Sequence, residues 1–172
     1  LMTSDADSFM AQALALAEQA RPTCPPNPAV GCVLVAASGQ VIGTGHTQPT
    51  GQAHAEVMAL RDAAARGHAT AGATAYVTLE PCAHQGRTGP CADALVRAGV
   101  ARVVAALQDP NPRVAGQGFA RLRAAGVDVQ VGPGADASRE LNLGFFSRMQ
   151  RGRPWLRLKV AASLDGRTAL PN

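Results

Sequence analysis

The feature that most constrains this chain is a regular alternation of segments with helical periodicity and short segments rich in branched apolar residues. Phe9, Ala13, Leu16 and Ala20, for example, recur at the spacing that places side chains on one face of a helix. Predicted helices cover residues 9–20, 54–65, 91–98, 119–125 and 138–151, and predicted strands cover residues 30–36, 41–45, 73–79, 103–107, 127–131 and 155–162. This alternation predicts an α/β fold, a three-layer α/β/α sandwich with a central mixed sheet.

The connections between these segments indicate how the sheet is arranged. Ser38 and Gly39 form a turn between the first two strands, which predicts an antiparallel hairpin. Later strands are joined through helices, so crossover connections are expected. A chain of 172 residues can bury one full core. We therefore expect one domain over residues 1–151, followed by a linker that begins at Gly152 and the start of another unit in residues 152–172.

Composition and charge narrow the possible partners. The net charge of +4 is small, no run of Lys and Arg is present, and aromatic residues make up 3 %, so nucleic acid is not an expected partner. No segment reaches the ~20 apolar residues of a membrane helix. The first residues carry Asp5 and Asp7 rather than a secretory leader pattern, which predicts a cytoplasmic protein. The modest positive charge suits a phosphorylated small molecule as partner.

One set of residues carries the chemistry. His54 and Glu56 open a predicted helix, Cys82 follows a predicted strand, and Cys91 opens another helix. One imidazole and two thiolates supply three ligands to a tetrahedral zinc ion and leave the fourth position for water. A carboxylate beside that position suits proton transfer. His-x-Glu followed by Pro-Cys and a second Cys is the signature of zinc deaminases that act on nucleobases. We therefore predict one Zn²⁺ per chain, held by His54, Cys82 and Cys91, with Glu56 as the catalytic group.

Several alternatives remain open at this point. The cysteines could be small buried apolar residues, and this interpretation is preferred for Cys24 and Cys32. A zinc-stabilised structural or binding module would share the metal ligands but would give Glu56 no function. A cytidine, guanine or tRNA-adenosine deaminase would share both the ligands and the carboxylate.

The two predicted cysteine ligands are separated by a long loop. Eight residues lie between Cys82 and Cys91, more than in the short Cys-x-x-Cys form, and they must lie at the rim of the metal site. His84, Arg87 and Thr88 within this loop could contact the substrate, and a guanidinium is well suited to a phosphate. A solvated loop with a surface arginine is the alternative.

Three motifs resemble a known family. They are His-Ala-Glu-Val at 54–57, Thr-Leu-Glu-Pro-Cys-Ala-His at 78–84 and Gly-Arg-Thr-Gly-Pro-Cys at 86–91. They resemble the deaminase half of the bifunctional riboflavin-biosynthesis deaminase/reductases, and residues 108–112, 114–118 and 141–149 are similar to the same family. The resemblance implies a cytidine-deaminase-like sandwich. It also implies hydrolysis of the 2-amino group of 2,5-diamino-6-ribosylamino-4(3H)-pyrimidinone 5′-phosphate with release of ammonia.

The same resemblance implies further residue roles. Asn27, His46 and His84 would contact the substrate, and Arg87 would take its phosphate. Residues 157–169 are similar to the opening of the family's reductase half, in which Lys159 would approach the ribose and Ala161 the NADPH cofactor. NADPH is therefore expected only where the rest of that half is present. The resemblance is also compatible with a homo-oligomer.

Overall fold

The architecture is an α/β sandwich built on a five-stranded sheet. The computed structural model describes residues 5–84, 89–112 and 114–168. The helices are α1 (Asp5–Ala20), α2 (Ala55–Ala65), α3 (Cys91–Arg97), α4 (Gln117–Ala124), α5 (Ala135–Leu141) and α6 (Leu143–Arg151). The strands are β1 (Gly31–Val35), β2 (Val41–His46), β3 (Thr74–Val77), β4 (Arg102–Ala105) and β5 (Asp128–Val131). The predicted fold class is confirmed.

The sheet is mixed, with strand order β2-β1-β3-β4-β5. β1 pairs antiparallel with β2 and with β3, whereas β3, β4 and β5 are parallel to one another. The predicted hairpin is therefore present. α3 and α4 connect the parallel strands, and this leaves the carboxyl ends of β3 and β4 at one edge of the sheet.

Alternating side chains of the strands build two cores, one on each face of the sheet. Cys32 and Leu34 of β1 pack on the face that is covered by α2, α3 and α4, whereas Val33 and Val35 pack with α1 on the other face. Because side chains of a strand point alternately to opposite faces, a run of apolar residues in β1 is what a strand buried on both faces requires. The third layer predicted from the sequence is therefore supplied by α1.

Glycines in β2 allow α2 to lie directly on the sheet. A Cβ atom at Gly43 would come within 2.3 Å of the Ala59 carbonyl oxygen, and one at Gly45 within 2.4 Å of the Ala55 carbonyl oxygen. Only a residue without a side chain permits this approach. The close packing places the first turn of α2 against the sheet, where it carries Glu56.

The predicted helix over 138–151 is two helices in the structure. The break falls at Asn142, which is buried, and its side chain accepts a hydrogen bond from the Ala29 N–H (2.8 Å) and donates one to the Ala29 carbonyl (2.9 Å). Apolar periodicity alone does not reveal such a break, because the partner of Asn142 lies 113 residues away in the sequence.

The predicted strand over 155–162 is wrong. In the described part of this segment no residue belongs to a strand, and Leu156 and Leu158 are 87 % and 88 % exposed. A strand is stabilised by pairing with a neighbour, and branched residues without such a partner do not form one.

No helix in the described ranges is both long and apolar enough to cross a membrane.

Candidate metal centre and active site

Three separate elements bring the predicted metal ligands together. His54 is the N-cap residue of α2, Cys82 lies in the segment after β3, and Cys91 is the first residue of α3. The Nδ1 atom of His54 lies 3.6 Å from Cys82 Sγ and 3.4 Å from Cys91 Sγ. The potential ligand atoms of all three residues lie within 4.8 Å of one another.

These separations can be compared with those that a metal ion requires. In a tetrahedral site with Zn–S of about 2.3 Å and Zn–N of about 2.0 Å, the nitrogen and each sulfur lie about 3.5 Å apart. The observed values of 3.6 and 3.4 Å agree with that geometry. No fourth His, Cys, Asp or Glu belongs to this cluster in the part of the chain that the structure describes. The donor set therefore fits a zinc site with three protein ligands.

The two thiols are electrostatically unequal. The Cys91 N–H donates a hydrogen bond to Cys82 Sγ (3.3 Å). The side-chain hydrogen bond with Cys91 lowers the pKa of Cys82 to about 4, and the same hydrogen bond together with burial raises the pKa of Cys91. The hydrogen bond to Cys82 also raises the pKa of His54. One thiolate is thus stabilised before any cation binds, and a bound cation would displace the remaining proton.

Glu56 is a buried carboxyl group beside these ligands. It lies in the first turn of α2 and is 3 % exposed. Burial, followed by the negative charge of Cys82, raises the pKa of Glu56 from 4.5 to about 7, although His54 opposes the shift. A group with a pKa near neutrality can both accept and donate a proton at physiological pH. Burial beside the cluster thus places the pKa of Glu56 in a range in which a carboxyl group exchanges protons near neutral pH.

A cavity of about 260 Å³ opens beside the cluster, and we call it the metal cavity. Its wall includes His54, Cys82 and Glu56. Asn27 and His84, two of the predicted substrate contacts, line the same cavity. The structure thus places these five residues around one space that is open to a small molecule.

Two other predicted site residues, His46 and Ala161, are not part of the wall of the metal cavity. His46 does not line the metal cavity; its Nδ1 lies 3.2 Å from the Thr47 carbonyl oxygen, and Thr47 lines the cavity instead. Arg87 lies outside the described residues. Ala161 is exposed in the segment after α6. Cys24 and Cys32 are buried and lie outside the cluster.

Comparison with known proteins identifies the family. The model of the cytidine and deoxycytidylate deaminase zinc-binding region matches residues 3–107, which is more than half of the chain. The chain belongs to this deaminase family. The match spans His54, Glu56, Cys82 and Cys91, so the family region contains the whole cluster.

Two curated relatives are more than twice as long as this chain. The riboflavin biosynthesis protein RibD of Escherichia coli is 57 % identical over 162 residues, which is 94 % of this chain and 43 % of that protein. The RibD protein of Haemophilus influenzae is 52 % identical over 162 residues, which is 94 % of this chain and 42 % of the relative. The chain therefore spans less than half the length of these relatives.

Solved structures are also similar to nearly the whole of this chain and are longer than it. An Acinetobacter baumannii RibD structure is 52 % identical, with a TM-score of 0.89, and the match covers 97 % of this chain and 46 % of the other. A Thermotoga maritima structure is 38 % identical, with a TM-score of 0.90 and coverage of 94 % and 46 %. Its description is diaminohydroxyphosphoribosylaminopyrimidine deaminase/5-amino-6-(5-phosphoribosylamino)uracil reductase. The resemblance and fold inferred from the sequence motifs are confirmed.

In this deaminase a second buried carboxylate, Glu80, organises the rim of the metal cavity. Its Oε2 accepts hydrogen bonds from the N–H groups of Asp109 (3.0 Å) and Gly116 (3.0 Å), and its Oε1 accepts from Gly118 (2.8 Å) and Phe119 (3.4 Å). Glu80 belongs to the motif at residues 78–84, but the motif by itself predicts no role for it. A glutamate placed directly after a buried strand is the signal that could have indicated it, since buried carboxylates need partners.

Glu80 thereby holds two further polar residues at the metal cavity. Asp109 and Asn111 line the cavity, and the Asn111 N–H donates a 2.8 Å hydrogen bond to Asp109 Oδ1. Burial raises the pKa of Asp109. Neither residue was among the sequence-predicted contacts, because the loop that carries them has no helical or strand pattern from which its position could be inferred.

Proposed function

We propose that this chain catalyses hydrolytic deamination of 2,5-diamino-6-ribosylamino-4(3H)-pyrimidinone 5′-phosphate. The products are ammonia and 5-amino-6-(5-phosphoribosylamino)uracil, in an early step of riboflavin biosynthesis. The observation that carries the proposal is the buried Glu56 beside the His54, Cys82 and Cys91 cluster in one cavity. The riboflavin biosynthesis proteins among the relatives, and the deaminase named for the Thermotoga structure, support this substrate class.

In this proposal His54, Cys82 and Cys91 hold one Zn²⁺ per chain. When bound, such an ion supplies a Lewis acid that makes a water molecule more acidic at neutral pH. The three side chains have a structural task as well, because they fix the N-termini of α2 and α3 against the end of β3. The Cys91 N–H at the start of α3 donates a hydrogen bond to Cys82 Sγ, which favours a thiolate at Cys82.

Glu56 carries the protons in the proposed reaction. Its carboxylate takes a proton from the attacking water while the water oxygen bonds to the ring carbon that bears the 2-amino group. The protonated carboxyl then gives that proton to the amino nitrogen, and ammonia leaves as the carbon–nitrogen bond breaks. Burial raises the pKa of Glu56, and this suits a carboxylate that must take up a proton and then release it.

The remaining polar residues position the substrate in this proposal. Asn27 and His84 hydrogen-bond the pyrimidine from the wall of the metal cavity. Arg87 takes the phosphate. His46 stays a proposed contact, and its neighbour Thr47 is the residue that lines the cavity.

We further propose that residues 1–151 are the zinc-dependent deaminase domain and that residues 152–172 are a linker and the start of a reductase domain. The similarity of residues 157–169 to such a domain supports this division, and so does the reductase named for the Thermotoga protein. NADPH would belong to that reductase half alone, with Lys159 near the ribose and Ala161 near the cofactor.

An ammonia assay combined with metal analysis tests the proposed reaction. Purified protein is expected to contain about one zinc per chain and to release ammonia from the diaminopyrimidine phosphate, with loss of activity after chelation. Cytidine, guanine and a tRNA adenosine substrate serve as comparison substrates. Ammonia release from one of these, and none from the diaminopyrimidine phosphate, would overturn the proposed substrate.

A further inference from the structure

A second cavity adjoins the metal cavity on the side of α6. Its volume is about 540 Å³, and we call it the outer cavity. The two cavities share Asn27, Phe145 and Arg148 as wall residues. A ligand that enters the metal cavity can therefore extend past these residues toward the outer cavity.

The two cavities differ in charge. Glu56, Glu80 and Asp109 line the metal cavity, and the shared Arg148 is the only Arg or Lys on its described wall. The described wall of the outer cavity contains Arg21, Arg148 and Arg153 and no Asp or Glu. Such a gradient favours a ligand with an uncharged, hydrogen-bonding end near Glu56 and an anionic end near the arginines.

Arg148 stands at the boundary between the cavities and is held there by two contacts. One guanidinium nitrogen, Nη2, donates a 2.8 Å hydrogen bond to the Pro26 carbonyl oxygen. The guanidinium carbon lies 5.8 Å from the ring centroid of Phe145, within the range of a cation–π contact. Both contacts restrict the orientation of the guanidinium before any ligand binds.

Arg148 has no carboxylate partner in the part of the chain that the structure describes. Among the described residues no Asp or Glu forms an ion pair with it, whereas Arg21 is paired with Glu18 at 2.7 Å. A guanidinium offers five N–H donors in a planar fork, and the Pro26 carbonyl oxygen engages only one of its nitrogens. Donors therefore remain for a phosphate, which a guanidinium can bind through two parallel hydrogen bonds.

We propose that Arg148 binds the phosphate monoester at one end of a ligand whose ring lies in the metal cavity. The inference rests on the proposed function, in which the substrate carries such a phosphate. It assigns to α6 a part in substrate selection: Arg148 distinguishes phosphorylated from unphosphorylated substrates. Arg148 would bind the phosphate together with Arg87, the group proposed in the loop between Cys82 and Cys91.

Steady-state kinetics on two substrates test this assignment. The change is R148Q, and the substrates are the diaminopyrimidine ribosylamine with and without its 5′-phosphate. We expect KM for the phosphorylated substrate to rise about ten- to hundredfold with little change in kcat, because a charge-assisted bidentate contact is lost. KM for the unphosphorylated substrate is expected to match that of the parent protein. An equal rise for both substrates, or no rise for the phosphorylated one, would overturn the proposal.

Two further variants serve as controls. R148K keeps the charge but loses the planar fork, so its KM for the phosphorylated substrate is expected to fall between those of the parent and R148Q. R97Q removes the same charge from an exposed position on α3 that lines neither cavity, and we expect its KM to match the parent value. A rise in KM for R97Q as large as that for R148Q would show that the change in net charge causes the rise. This result would overturn the assignment.

A binding measurement separates this inference from the proposed reaction. Ribose 5-phosphate is titrated calorimetrically into the parent protein and into R148Q, with ribose as the unphosphorylated control. We expect the parent to bind ribose 5-phosphate at least about tenfold more tightly than R148Q does. Equal affinities, or no binding to the parent, would overturn the role of Arg148. If the parent protein released no ammonia from any substrate, the proposed function would fail, whereas this titration would still decide whether Arg148 binds a phosphate monoester.

Discussion

The carboxylate of Glu80 accepts a 2.8 Å hydrogen bond from the backbone N–H of Gly118, joining the segment after β3 to the first turn of α4. Glu80 is 4 % exposed and lies two residues before Cys82. A Cβ atom at Gly118 would come within 1.9 Å of the Pro81 carbonyl oxygen, so this close approach requires glycine. Glu80 therefore links the segment that carries Cys82 to the loop that carries Asp109.

Replacement of Glu80 by Gln is expected to destabilise the protein. Gln has one carbonyl oxygen, and its NH₂ group would face backbone N–H donors that now bond to the carboxylate. We expect a loss of about 1–3 kcal/mol in the free energy of unfolding for each donor left buried and unsatisfied, measured by denaturant titration. E18Q is the control, because Glu18 is exposed and pairs with Arg21 at the surface. Equal stabilities of E80Q and E18Q would contradict the structural role.

Replacement of Glu56 by Gln is expected to separate metal binding from catalysis. The amide keeps the size of the side chain but cannot accept a proton as a carboxylate does. We expect E56Q to retain zinc and to release ammonia at least ~10²-fold more slowly than the parent. Metal analysis and the ammonia assay are run on the same preparations. Equal rates in both proteins would remove the proton-transfer role and favour a structural zinc module.

Loss of either cysteine of the cluster is expected to abolish metal retention. C82S and C91S each replace a thiolate by a hydroxyl that stays protonated near neutral pH, which leaves zinc with one nitrogen and one sulfur ligand. We expect the zinc content of both variants to fall from about one per chain to near zero. C24A is the matched control, because Cys24 is buried and lies outside the cluster. Retention of zinc by C82S and C91S would contradict the ligand assignment.

The stability of the metal-free protein is expected to depend on pH through Glu56. Its pKa in the folded state, about 7, lies above the ordinary value of 4.5, so the folded protein binds this proton more tightly than the unfolded chain does. The resulting stabilisation is complete below pH 4.5 and is lost as the pH rises through 7. The shift corresponds to about 3 kcal/mol.

Denaturant titration in the presence of a chelator measures this effect. The free energy of unfolding of the parent is expected to fall relative to that of E56Q between pH 5 and pH 8, because the amide does not titrate. Comparison with E56Q isolates Glu56 from Cys82, whose lowered pKa acts in the opposite direction. Parallel pH profiles for the two proteins would show that Glu56 titrates near its ordinary value.

The sequence was sufficient to predict the elements that position the metal cluster. His54 caps α2, Cys91 opens α3 and Cys82 follows β3, and each of these positions was inferred from a local helix or strand pattern. The motifs also predicted the three metal ligands, because the types of residue and their order along the chain are enough to identify one histidine and two cysteines. The apolar run of residues 30–36 likewise predicted a strand, and the structure shows that β1 is buried on both faces.

Other features could not be obtained from local patterns. Thr47 lines the metal cavity and His46 does not. Which of the two neighbours faces the cavity depends on the direction of the backbone at the end of β2. The predicted strand after α6 failed because its branched residues have no neighbouring strand among those described. The break at Asn142 depends on hydrogen bonds to Ala29, far away in the sequence.

Residue type and spacing by themselves determined the α/β alternation, the candidate ligands and the candidate proton carrier, since helical periodicity, capping and motif order act over a few residues. Only the tertiary structure decided that the candidate ligands meet, that Glu56 is buried beside them and that Glu80 holds the loop of Asp109 at the same cavity. The physical reason is distance along the chain. Thirty-eight residues separate Glu80 from Gly118, and only the order of the strands and the packing of the helices bring such groups within 2.8 Å.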